Sequence, residues 1–88
     1  MPTVELPAGL RARASGQLRV SVEAKTVREA LEQLTLVHPA LKGALFLDDG
    51  RLKRTVGVFL DDDDVRDEEQ RALKGDDVLV LISAMAGG

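Results

Sequence analysis

The sequence predicts an α+β domain, a sheet of about five strands carrying one main helix on one face. Three stretches predict it. Thr3 to Leu6 and Gln17 to Glu23 alternate apolar and polar residues with period two, as half-buried strands do. Thr26 opens an amphipathic helix. Val78-Leu79-Val80-Leu81-Ile82 is apolar on both faces, as a central strand is.

In chain order, Val4 and Leu6 share one face of the first strand, and Pro7 ends it. A loop is expected from Ala8 to Gly16. The second strand then places Leu18, Val20 and Val22 inward, and the two strands pair as an antiparallel hairpin. Thr26-Val27-Arg28-Glu29 has the capping-box form, in which the hydroxyl and the carboxylate each satisfy an otherwise unpaired N–H. Val27, Ala30, Leu31 and Leu34 mark the buried stripe at i, i+3, i+4 and i+7. Pro39 stops the helix near Val37. Ala40 to Phe46 reads as a short irregular turn packed by Leu41, Leu45 and Phe46.

Asp48-Asp49-Gly50 is turn chemistry, and a strand resumes from Arg54 to Leu60. Its alternation sends Val56, Val58 and Leu60 to the core and Phe59 to the other side. Asp61-Asp62-Asp63-Asp64 lacks the spaced ligands, central glycine and terminal glutamate of a calcium loop, so it is expected to be a solvated turn. A very short strand is expected at Val65 and Arg66, then a helical turn or surface connection from Asp67 to Leu73. Gly75-Asp76-Asp77 turns the chain into the last strand. The chain divides into a domain over 1–82 and a flexible C-terminal tail over 83–88.

The composition excludes several functions. There are 88 residues, enough for one domain with a small core and little room for a buried active site. The net charge is −3, and the only basic cluster is Arg51-Leu52-Lys53-Arg54; with no Trp or Tyr to stack on bases, nucleic acid is not an expected partner. The absence of cysteine excludes disulfides, thiolate metal sites and cysteine nucleophiles. His38 is a single imidazole beside Pro39, which suits a helix end or the surface, so no metal site is expected. No run approaches the ~20 apolar residues of a membrane span and no leader is evident, so a cytoplasmic protein without membrane contact is expected. There is no Ser-His or Cys-His set and no phosphate loop, so no catalytic residues are assigned.

The chain ends Ser83-Ala84-Met85-Ala86-Gly87-Gly88. Gly-Gly is thin enough to enter a narrow channel and free to take backbone angles closed to other residues. Fully extended at about 3.3–3.6 Å per residue, this end reaches roughly 20 Å beyond the last strand. By itself it also fits a frayed small-residue terminus.

The element order, with a helix after the first hairpin and a last strand running into a terminal Gly-Gly, resembles the β-grasp, ubiquitin-like fold with its mixed sheet. More narrowly, the chain resembles the prokaryotic sulfur-carrier family that includes the small subunit of molybdopterin synthase, the thiamin-pathway carrier and the carrier of one route of cysteine synthesis. The matching stretches are Leu6-Pro7 with Leu10-Arg11 and Gly16; Val56-Gly57-Val58-Phe59-Leu60 into Asp63-Asp64-Val65-Arg66; and Gly75-Asp76-Asp77-Val78 through Ala86-Gly87-Gly88. They span nearly the whole chain, and the likeness is closest to the cysteine-synthesis carrier. Members often carry a proline early in the tail, where this chain has Ser83.

The resemblance implies a carrier, not an enzyme. An adenylyltransferase/sulfurtransferase related to ubiquitin-activating enzymes would adenylate the Gly88 carboxylate with ATP and magnesium. Sulfur would then displace AMP and leave a thiocarboxylate for a sulfur-accepting biosynthetic enzyme. Gly87, Ala86 and Met85 would be read by the partner along the tail. The partner surface would be the sheet face opposite the helix, with Phe59, Val80 and Ile82 as its apolar patch and Arg11, Arg54 and Arg66 on its rim. For Phe59 a plain packing role stands beside partner contact. Two other readings remain: a modifier joined to lysines through Gly88, and an interaction module whose Gly-Gly end is incidental.

Overall fold

The sheet is assembled on its last strand. In the computed structural model, which describes residues 1–83, β5 (Val78–Ser83) lies at the centre of the order β2-β1-β5-β3-β4. The other strands are β1 (Thr3–Glu5), β2 (Arg19–Ser21), β3 (Val56–Leu60) and β4 (Asp63–Asp64). β1 runs parallel to β5 while the other pairings are antiparallel, so the sheet is mixed. The expected hairpin is present, with Val4 opposite Val20.

Inward-facing Val4, Val20, Val56, Val58, Leu60, Leu79 and Leu81 meet helix α2 (Val27–Val37), whose Val27, Ala30, Leu31 and Leu34 are buried. The predicted stripe is therefore the packed one. Thr26 caps the helix: its Oγ1 accepts from the Glu29 N–H at 3.2 Å. The Glu29 carboxylate reaches one residue further back than a strict capping box and accepts from the Lys25 N–H at 2.8 Å. The remaining N-terminal donors are satisfied from afar, Val27 N–H by the Arg71 carbonyl and Arg28 N–H by that of Glu69. This gives the Asp67–Leu73 connection a purpose, since it closes the open end of α2. Arg28 pairs with Glu32 and Glu69 and lies 4.8 Å over the Phe46 ring.

Four local expectations are corrected. The loop after Pro7 holds a helical turn, α1 (Ala8–Arg11), and a 3-10 turn over Ala12–Ala14, which bury Leu10 and Ala14. Leu18 is 44% exposed, because a bend there interrupts the alternation before β2 begins. The segment after Pro39 is also helical, a 3-10 turn over Pro39–Leu41 followed by α3 (Lys42–Leu45), and it buries Leu41 and Leu45 as expected. The short strand is Asp63–Asp64 instead of Val65 and Arg66. Asp61 takes a positive φ of 55°, the left-handed conformation tolerated by Asp, so a two-residue turn suffices and pairing starts with Leu60 opposite Asp63. Val65 then turns inward, is fully buried and donates its N–H to the Val58 carbonyl at 2.9 Å.

His38 is a surface-side histidine at the end of α2, with Nε2 3.0 Å from the Gln17 side-chain oxygen. No helix among the described residues is long and apolar enough to cross a membrane.

Thr26→Ala removes the cap and is expected to lower stability by about 1 kcal/mol, read from the midpoint of urea unfolding.

Candidate functional site: the outer sheet face and the end of β5

The sheet face turned away from α2 is ordered by strand register. One row across it runs Asp64, Phe59, Val80, Glu5, Arg19, and the next brings Gly57 opposite Ile82. Phe59 and Val80 are half-buried neighbours and Ile82 is 46% exposed. Glu5 and Arg19 close one side of the patch with an ion pair of 3.0 Å, and Asp64 closes the other. The expected apolar trio of Phe59, Val80 and Ile82 is thus brought together on one surface.

Gly57 shapes that surface. A Cβ at this position would stand 2.6 Å from Ile82 Cγ1 and 3.4 Å from Phe59 Cε1. The two side chains therefore lean over the missing one, and glycine in a strand marks a close approach here. Sequence reasoning assigned Gly57 no role, although a glycine inside an alternating strand was a usable signal.

The three rim arginines are not equivalent. Arg66 turns its guanidinium back into the protein, donating to the carbonyls of Leu52 (3.2 Å), Lys53 (2.7 Å) and Val56. It holds together the turn that feeds β3. Arg11 is half-buried and donates from Nε to the Leu6 carbonyl at 3.1 Å. Arg54 alone of the three is exposed, beside a groove of about 330 Å³ that Arg51, Arg66, Asp67 and Glu69 also line. Arg51 is engaged by Asp49, whose carboxyl is held below its ordinary range by the Arg51 backbone N–H and then by the Arg51 guanidinium.

β5 continues through Ser83, which pairs with Val56. The position where a tail proline was expected from resemblance is therefore anchored in the sheet by strand pairing. Ser83 lies at the lip of a second groove, of about 290 Å³, walled by Pro7, Leu10, Arg13, Ala44 and Lys53. In the sequence Arg13 was visible only as one of the basic pair Arg11 and Arg13, and Lys53 only as part of the Arg51–Arg54 run. The expected tail residues Met85, Ala86, Gly87 and Gly88 lie outside the described residues. Among the described residues no group of three or more His, Asp or Glu is placed to hold a metal ion.

Comparison with known proteins decides the lineage. The ThiS family model matches residues 4–88. This chain belongs to the ThiS family. Its solved relatives share the β-grasp, ubiquitin-like fold over almost their full length. The BexX/CysO complex of Amycolatopsis orientalis contains a chain 30% identical, with a TM-score of 0.86 and complete coverage of both chains. SAMP1 of Haloferax volcanii is 31% identical, with a TM-score of 0.82 over 99% of this chain and 98% of its own. CysO of Mycobacterium tuberculosis is 26% identical, with a TM-score of 0.84 over 97% of this chain and all of its own. A comparison with curated proteins returned no match. The ThiS assignment makes this chain a small sulfur-carrier-type, ubiquitin-like protein.

The division among the arginines has a measurable consequence. Arg66→Met leaves three carbonyls without their charged donor and is expected to cost about 2 kcal/mol of stability, whereas Arg54→Met stays within about 0.5 kcal/mol. Urea unfolding of the two variants distinguishes them.

Proposed function

We propose that this protein carries sulfur on its C-terminus. The observation that carries the reading is the course of β5. The central strand runs through Ser83, and the sequence continues from it to Gly87-Gly88, in a protein similar to CysO over nearly its whole length. The Gly88 carboxylate is a poor electrophile. An adenylating partner joins it to the α-phosphate of magnesium-bound ATP and releases pyrophosphate. The resulting acyl-adenylate is a good electrophile, and a sulfur nucleophile displaces AMP to leave a terminal thiocarboxylate. The chain supplies no catalytic group to these steps and acts as co-substrate. Met85, Ala86 and Gly87 form the thin approach to the partner's site. Phe59, Val80 and Ile82 are the docking patch on the outer sheet face, with Arg54 as its exposed cation. The thiocarboxylate then serves a sulfur-accepting biosynthetic enzyme of the cysteine, molybdopterin or thiamin type.

A second reading is favoured by one observation, the 31% identity to SAMP1, a small archaeal modifier protein. In it, the same activated Gly88 is captured by a lysine amine of another protein.

Intact mass after incubation with the adenylating partner, ATP, magnesium and a sulfide donor separates the two. Replacement of one oxygen by sulfur is expected. High-mass conjugates in place of that gain establish the modifier, and an unchanged mass overturns both. Deleting Gly87 and Gly88 is expected to abolish the gain with unfolding midpoint unchanged.

Phe59→Ser tests the patch. Because the ring is half-exposed, the fold is expected to survive while KM for the carrier in ATP–pyrophosphate exchange rises roughly tenfold or more.

A further inference from the structure

Charged residues gather at both ends of the sheet axis. Val56 opposite Ser83 marks one end and Leu60 opposite Leu79 approaches the other. At the second end Asp61, Asp62, Asp63 and Asp64 follow β3, and Asp76 and Asp77 precede β5. At the first, Lys53 and Arg54 precede β3, and Arg13 joins Lys53 in the groove beside Ser83. Arg13 and Lys53 therefore stand together beside Ser83 at the end of β5, although the chain as a whole is acidic with a net charge of −3. A local cluster of like charge steers an approaching molecule of opposite charge before contact.

The groove at that end has its own chemistry. Its apolar surface comes from Pro7, Leu10 and Ala44, its charge from Arg13 and Lys53, and among the described residues no carboxylate lines it. The neighbouring groove beside Arg54 is different, because Asp67 and Glu69 stand among its arginines. At about 290 Å³ the Ser83 groove falls at the small end of ligand sites, suited to a side chain or two of a peptide segment. Among the described residues neither Arg13 nor Lys53 forms a side-chain ion pair.

We infer that this groove receives an acidic, partly apolar segment of the adenylating partner, with Arg13 and Lys53 as its readers. The inference rests on the carrier reading and adds residues to it: the cations that meet the partner at the root of the tail are Arg13 and Lys53, while Arg11 and Arg66 serve the fold. Whatever encloses the chain end must pass Ser83, so the groove is continuous with the surface that a tail-binding partner covers. Charge complementarity sets the sign of the segment, and the walls set its apolar component.

The test uses the full-length chain with Arg13→Glu and Lys53→Glu together, against a control with Lys25→Glu and Lys74→Glu that changes net charge equally. Both are assayed by ATP–pyrophosphate exchange with the adenylating partner. The groove variant is expected to raise KM roughly tenfold at low salt with kcat unchanged, and to approach the native value near 1 M salt, where the Debye length is about 3 Å. The control stays at the native KM. Equal KM values for groove variant and native chain at low salt overturn the inference while leaving the carrier reading intact. Absence of exchange with the native chain is instead a failure of the carrier reading.

Titration of the isotopically labelled native chain with a synthetic pentapeptide of alternating glutamate and leucine does not depend on activation. Amide shifts confined to Gly9, Leu10, Arg13, Gly43, Ala44 and Lys53, and lost in the groove variant, support the site; no shift there overturns it. Groove amides that move when the chain's own C-terminal carboxylate is converted to an amide identify that carboxylate as the occupant, which also overturns it.

Discussion

The structure depends on β5 being apolar on both faces while sitting between two partners of opposite sense. Leu79 and Leu81 face α2 and are buried, whereas Val80 and Ile82 face outward between Phe59 and Glu5 and opposite Gly57. Burying the inner pair holds the strand in the sheet, because a one-residue slip would exchange every inward side chain for an outward one. The register that secures the core therefore also builds the outer patch. Folding and the proposed partner recognition share one strand.

That economy fits the carrier role proposed above. The reacting atom proposed at Gly88 belongs to the main chain, so the fold needs only to present it and to show a surface beside it. Polar groups around the sheet end and the start of α2 satisfy the backbone. Arg66 and Arg11 satisfy carbonyls at the turns around the sheet end, and Glu69 and Arg71 lend carbonyls to the first N–H groups of α2. Unpaired backbone groups at such ends are costly, so long side chains are drawn inward when a turn cannot satisfy itself. Arg13 and Lys53, which form no side-chain ion pair among the described residues, line the groove beside Ser83.

Much of this was legible in the residues. The period-two stretches, the capped helix and the doubly apolar run specified the α+β class, and the buried residues of α2 are those its spacing marked. Phe59 was placed outward by alternation alone. The failures share a cause: Ala8–Ala14 and Pro39–Leu45 carry too few residues for a helical period to show, so their helical turns emerged only from packing Leu10, Ala14, Leu41 and Leu45 into the core. The shift of β4 to Asp63–Asp64 turned on one positive φ at Asp61, which composition does not reveal.

By itself, the sequence determined the elements with a strong period, the charge balance and the Gly-Gly end, because these are local properties of the chain. Only the tertiary structure decided which arginines face the protein and which face solvent. An arginine reads the same whether it caps a turn or meets solvent; the difference lies in carbonyls brought near it from distant positions, as those of Leu52, Lys53 and Val56 are brought to Arg66. Antiparallel pairing of β3 with β5 likewise gathered cations from two separate loops at the end of the last strand. Long-range pairing was required, and no local pattern encodes it.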